Sequence, residues 1–132
     1  MRNLVDFADW PLVRARQDGR LTVQDATELR EGLVEALARS DGEGRRFAVV
    51  VDQRERGAPE KGATEILHGF WAEHAARIAE RCVGLASVVP TVSLADLVRS
   101  PGPGGLAVLG TVDPDAALAW ARDRLAGEQE AG

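Results

Sequence analysis

The chain has 132 residues, 45% hydrophobic and 28% charged, with 16 basic against 21 acidic side chains and a net charge of −5. That is one ordinary globular domain, long enough to bury a core without a metal or a disulfide. Its acidic balance argues against nucleic-acid binding, which needs a surplus of cations to neutralise phosphates.

The opening residues, MRNLVDFADWPL, are broken by Asp6 and Asp9 and do not read as a signal peptide. No apolar run approaches the roughly 20 residues that cross a bilayer. With Cys82 as the one cysteine, no internal disulfide can form, which fits a reducing compartment. The expectation is a cytoplasmic protein that engages neither membrane nor nucleic acid. Residues 1–9 read as an N-terminal extension or an antiparallel edge strand, residues 10–126 as the α/β domain, and residues 127–132 as a frayed tail.

PLVRARQ (11–17) alternates in the manner of a half-exposed strand, and DGR (18–20) turns the chain. Thr22, followed three residues later by Asp25, forms a short-armed capping box. Ala26, Leu29, Leu33, Val34 and Leu37 then recur at helical spacing until DGEG stops the helix. RFAVVVD is continuously apolar, the mark of a strand covered on both faces. The loop RERGAPEKG leads into a strongly amphipathic helix with Ile66, Leu67, Phe70, Trp71, His74, Ala75 and Ile78 on one stripe.

VGLASVVP (83–90) is a further buried strand. SLADLV (93–98) is a short helix capped by Ser93. GLAVLG (105–110) is the next strand. Asp113 caps a last helix, with Pro114 in its first position and Ala117, Leu118, Ala121 and Leu125 inward. Strand and helix alternate throughout. The fold class is therefore α/β, a four- to five-stranded, mostly parallel sheet with helices packed on it.

VRARQDGRLTVQDATELREGLVEAL followed by RRFAVVVD resembles the opening of a STAS domain. HGFWAEHAARIAERCVGLASVVP and DPDAALAWARDRL resemble a bacterial branch of that family described as anti-sigma-factor-antagonist-like or CRAL-TRIO-like. The resemblance spans roughly residues 10 to 126 and rests on hydrophobic blocks, with no sharp motif. It implies a regulatory domain that binds a protein partner or a second copy of itself. Regulatory members carry a phosphorylatable Ser or Thr in an Asp-Ser-(Ser/Thr)-Gly element. The matching place here, DQRERGAPEKGATE, keeps Asp52 but has no Ser, and Thr64 is its one hydroxyl.

The strand end at Asp52 delivers Arg54, Arg56 and Lys61 to the edge where open α/β sheets bind ligands. Lys61 also precedes a helix whose free N–H groups favour an anion. Asp52, Arg54, Arg56, Lys61, Thr91 and Thr111 are thus candidate ligand- or anion-binding residues, and a solvated crossover loop is the alternative. GxxxxGK[ST] and GxGxxG are both absent. Trp10, Trp71 and His74 are candidate partner-interface residues. His68 and His74 are not spaced as an i, i+4 metal pair.

No catalytic residues, metal or cofactor are assigned. The leading expectation is a non-catalytic interaction or regulatory adaptor, possible as a homodimer. The alternative is a domain binding a small apolar or anionic ligand between the sheet and the SPGPGG side. An accessory enzyme using Asp52 or His74 is a third reading.

Overall fold

The computed structural model describes residues 4–98 and 100–131. Seven strands and four α-helices follow in the order β1 (Val5–Asp6), β2 (Leu12–Arg16), β3 (Gly19–Leu21), α1 (Val23–Glu43), β4 (Phe47–Asp52), β5 (Arg56–Pro59), α2 (Ala63–Arg81), β6 (Cys82–Val88), α3 (Val92–Ala95), β7 (Val108–Thr111) and α4 (Pro114–Ala131). Five of the strands form one sheet in the order β1-β2-β4-β6-β7. β1 is antiparallel to β2, and the other pairings are parallel.

The strand period sorts side chains between two faces. Phe47, Val49 and Val51 of β4 point to the face that carries α1 and α2, together with Val13, Leu85 and Val108. Leu12, Ala48, Val50, Ala86 and Val88 point to the face covered by α4 through Ala117 and Ala121. A buried strand with a helix layer on each side is what the unbroken run FAVVVD requires.

Several elements depart from the reading of the sequence. DGEG does not stop α1 at its first glycine. The helix continues to Glu43 and ends where Gly44 takes the left-handed conformation at φ 62° and its N–H bonds the Ser40 carbonyl. Val34 faces solvent, whereas Ala26, Leu29 and Leu37 are buried. Thr91, not Ser93, caps α3, its hydroxyl accepting from the Leu94 N–H at 3.2 Å. β7 starts only at Val108, because Pro103–Gly105 form a 3₁₀ turn.

DGR is more than a turn, and RERGAPEKG is more than a loop. β3 and β5 pair in parallel as a separate two-stranded sheet. The expected tail is helical as far as Ala131, in keeping with the helix-forming run AGEQEA apart from its glycine. Residues 1–3 of the expected extension and residue 132 of the tail lie outside the described residues.

Two expected caps are present in the structure. Thr22 and Asp25 make the reciprocal capping box, and Asp113 accepts from the Asp115 N–H at 2.9 Å at the start of α4. The SPGPGG segment is fastened to α2. A Cβ at Gly104 would lie 2.7 Å from the Ala75 carbonyl oxygen, so the turn backbone rests directly on the helix. Leu106 then drops into the core with 1% of its surface exposed.

Candidate functional site

The site lies on the α1–α2 face, near the carboxyl ends of β2, β4 and β6. Here the sheet and the helices do not close on one another. A cavity of about 310 Å³ remains, with Leu29 and Leu33 of α1, Leu67 and Trp71 of α2, and Val51 and Leu85 of the sheet in its wall. β3 and β5 supply its rim through Leu21 and Arg56. A neighbouring cavity of about 270 Å³ shares Trp71, Leu85 and Ser87 with it and runs on to Val98, Gly102, Leu106 and Val108. The Trp71 ring, packed edge-on against Phe70 at 5.8 Å, stands where the two spaces adjoin.

A few polar groups converge on the larger space. Gln17 continues the inward alternation of Val13 and Ala15 and is 7% exposed. Its backbone N–H is bound to the Asp52 carbonyl at 3.0 Å. Its side-chain oxygen is buried without a hydrogen-bond partner among the described residues. Gln53 accepts from Arg56 at 3.3 Å. Thr64, His68 and Ser87 complete the polar lining. A mainly apolar hollow with a handful of convergent polar side chains is the usual make-up of a small-molecule site.

The candidate anion residues do not gather into one site. Asp52 points to the opposite face, into a crevice of about 310 Å³ with Arg14, Arg16, Pro114 and Leu118. Arg54 folds back to bind its carboxylate at 2.8 and 3.0 Å. Arg56 faces the large cavity instead, and Lys61 lines none of these spaces. Thr91 caps α3, and Thr111 accepts from the Asp113 N–H at 3.1 Å.

Of the aromatic candidates, Trp10 is half-buried, stacked on Phe47 at 5.9 Å and bound to Glu43 through its indole N–H. His74 is half-buried against Phe70, on the side of the sheet away from Asp52. Asp52 and His74, the two groups offered for an enzyme, therefore lie on opposite faces of the sheet.

The Arg54 hydrogen bonds hold the Asp52 carboxyl below its ordinary value of 3.8, against the opposing effect of burial. A lowered carboxyl pKa stabilises the fold above 3.8, and that contribution fades as pH falls through the lowered value. Asp52→Asn should therefore flatten the loss of stability on acidification. Urea midpoints from about pH 6 to about pH 3 would reveal it.

Burial pushes the Cys82 thiol up to about 12, and its hydrogen is donated to the Gly84 carbonyl. The thiol should be inert to a disulfide reagent at neutral pH in the native protein and react fully once unfolded. Stoichiometric labelling under native conditions would contradict this. Among the described residues no cluster of His, Cys, Asp or Glu could hold a metal ion, and no helix is long and apolar enough to cross a membrane.

Two solved structures share this arrangement. A DUF3478-family protein from Shewanella loihica PV-4, itself described as having a SpoIIAA-like fold, superposes with a TM-score of 0.65 at 17% identity, over 89% of this chain and 90% of that one. The fold is SpoIIAA-like. The unphosphorylated anti-sigma factor antagonist SpoIIAA superposes with a TM-score of 0.53 at 11% identity, over 89% of this chain and 96% of its own. No protein-family model and no curated protein matches the sequence. The fold agrees with the STAS resemblance of the hydrophobic blocks.

The sequence reading places its candidate ligand residues around the Asp52 loop and does not single out Gln17, Gln53 or Ser87, which line the cavity. A signal was present. Each of Gln17, Gln53 and Ser87 is a polar residue at an inward position of a period-2 pattern, beside Ala15, Val51 and Leu85.

Proposed function

We infer that this SpoIIAA-like domain is a non-catalytic regulatory module that binds a small, mainly apolar molecule between its sheet and α1–α2. The observation that carries the reading is the cavity of about 310 Å³, mainly apolar and walled by Leu29, Leu33, Leu67 and Trp71, with Gln17 among its few polar lining residues. A ligand with an apolar body gains free energy by displacing water from the apolar wall of such a hollow. The adjoining space beside Val98, Gly102 and Leu106 supports entry on the SPGPGG side.

Decan-1-ol tests the reading. Because Trp71 lines the cavity, a saturable change in tryptophan emission should accompany binding and should be lost in Trp71→Phe, with Trp10 and Trp120 still present. No saturable change in emission, together with no rise in melting temperature, sinks it.

A second reading is supported by a separate observation. Val92, Leu94 and Leu97 of the α3 segment are 64%, 44% and 70% exposed. Such an apolar cluster at a strand-end edge suits a protein partner or a second copy of the chain. SpoIIAA is an anti-sigma factor antagonist, and a partner-binding role carries over in kind. Leu97→Glu should then abolish self-association measured by sedimentation, or capture of a partner, without altering the melting temperature.

A further inference from the structure

The polar lining of the cavity also says what kind of head group it accepts. This step rests on the ligand-binding reading above. Acids outnumber bases 21 to 16 along the chain, yet no Asp or Glu lines this space. The ionisable side chains that do line it are Arg56 and His68. A cationic ligand would meet a like charge and no counter-charge there. An anion would meet the Arg56 guanidinium, already positioned at the rim by its hydrogen bond to Gln53.

Deeper in the same space lies the Gln17 carboxamide. It is too buried to be satisfied by bulk water, and its oxygen lacks a protein partner among the described residues. Besides that oxygen, the carboxamide carries an NH₂ group, a donor of two hydrogen bonds. It can therefore donate to one oxygen of a head group while Arg56 pairs with the other. One guanidinium and one amide match the two oxygens of a carboxylate. They are too few for the three oxygens and double charge of a phosphate.

The remaining wall is apolar. Leu29, Leu33, Val51, Leu67, Leu85 and Trp71 would hold a hydrocarbon body. An apolar cavity of about 150 Å³ takes one benzene ring. By that measure the present cavity, at about 310 Å³, takes roughly a dozen non-hydrogen atoms.

We propose that the cavity between the sheet and α1–α2 selects an amphipathic monocarboxylate of about that size, its carboxylate at Gln17 and Arg56 and its apolar body against Leu29, Leu33 and Trp71.

The test compares decanoate, decan-1-ol and decylamine at neutral pH, each below its micelle concentration, by calorimetric titration of the full chain. Decanoate is expected to bind about tenfold more tightly than either of the others, as a charge-assisted pair at a partly desolvated rim allows. Arg56→Gln should lower decanoate affinity by that factor and erase its advantage over decan-1-ol. Arg56 is exposed on β5, so the variant is expected to fold. Arg45→Gln removes the same charge outside the cavity lining and should leave the preference in place.

Equal or tighter binding of decan-1-ol or decylamine overturns the head-group assignment while leaving the ligand-binding reading intact. So does a decanoate preference that survives Arg56→Gln. Failure of all three probes to bind the folded protein overturns both.

Discussion

Phe47→Ala is expected to lower the free energy of unfolding by about 3–5 kcal/mol, the usual cost of deleting a fully buried phenyl ring and leaving its cavity unfilled. Phe47 is 1% exposed and opens β4, the strand at the centre of the sheet. Its ring stacks on Trp10 at 5.9 Å and sits in the same core as Val13, Leu37, Phe70 and Ile78. A single truncation therefore loosens contacts among β2, β4, α1 and α2. Domains of this size retain only about 5–15 kcal/mol in total, so the variant should be marginal at physiological temperature. The measurement is a urea melt. A lower midpoint with an unchanged slope confirms the expectation. A loss under about 1 kcal/mol would mean that Trp10 collapses into the space and that the ring stack is not a fixed part of the core.

Ser87→Leu should have the largest effect on binding. Ser87 pairs with Val51 on one side and Gly110 on the other and points into both cavities beside Trp71. An isobutyl group in place of the hydroxymethyl occupies the junction where a ligand's apolar body would lie. Affinity for decan-1-ol is expected to fall at least about tenfold, since the remaining void no longer fits the chain. The fold should not suffer in parallel. The added carbons enter open space, and each buried methylene contributes about 0.8 kcal/mol. The melting temperature should therefore hold or rise. Wild-type affinity in a folded Ser87→Leu protein would place the ligand elsewhere. This opposition of stability and binding separates a functional hollow from a packing defect.

The α/β layering was legible because local chemistry and global packing agree in most elements. The apolar run of β4, the capping box at Thr22 and the Asp113–Pro114 start of α4 each have one good local solution, and the structure adopts it. The β3–β5 pair was not legible for the opposite reason. Gly19–Leu21 and Arg56–Pro59 have no alternation of their own, and Arg56, Gly57, Ala58 and Pro59 are all exposed. Their pairing becomes a solution only after β2 and β4 have brought the two segments side by side. The choice of Thr91 over Ser93 as cap is settled the same way, by where β6 releases the chain. The large cavity depends on α1 and α2 standing off the sheet together, which no single stretch of sequence encodes.

The helices are shared unequally between the two faces of the sheet. α1 and α2 are made before β6, but the other face waits for α4, which follows every strand it covers. During synthesis Leu12, Ala48, Val50, Ala86 and Val88 must stay bare until that last helix emerges. A ribosome-bound chain stalled before Pro114 should therefore present a sticky, half-dressed sheet, a natural client for a chaperone that reads exposed valine and alanine.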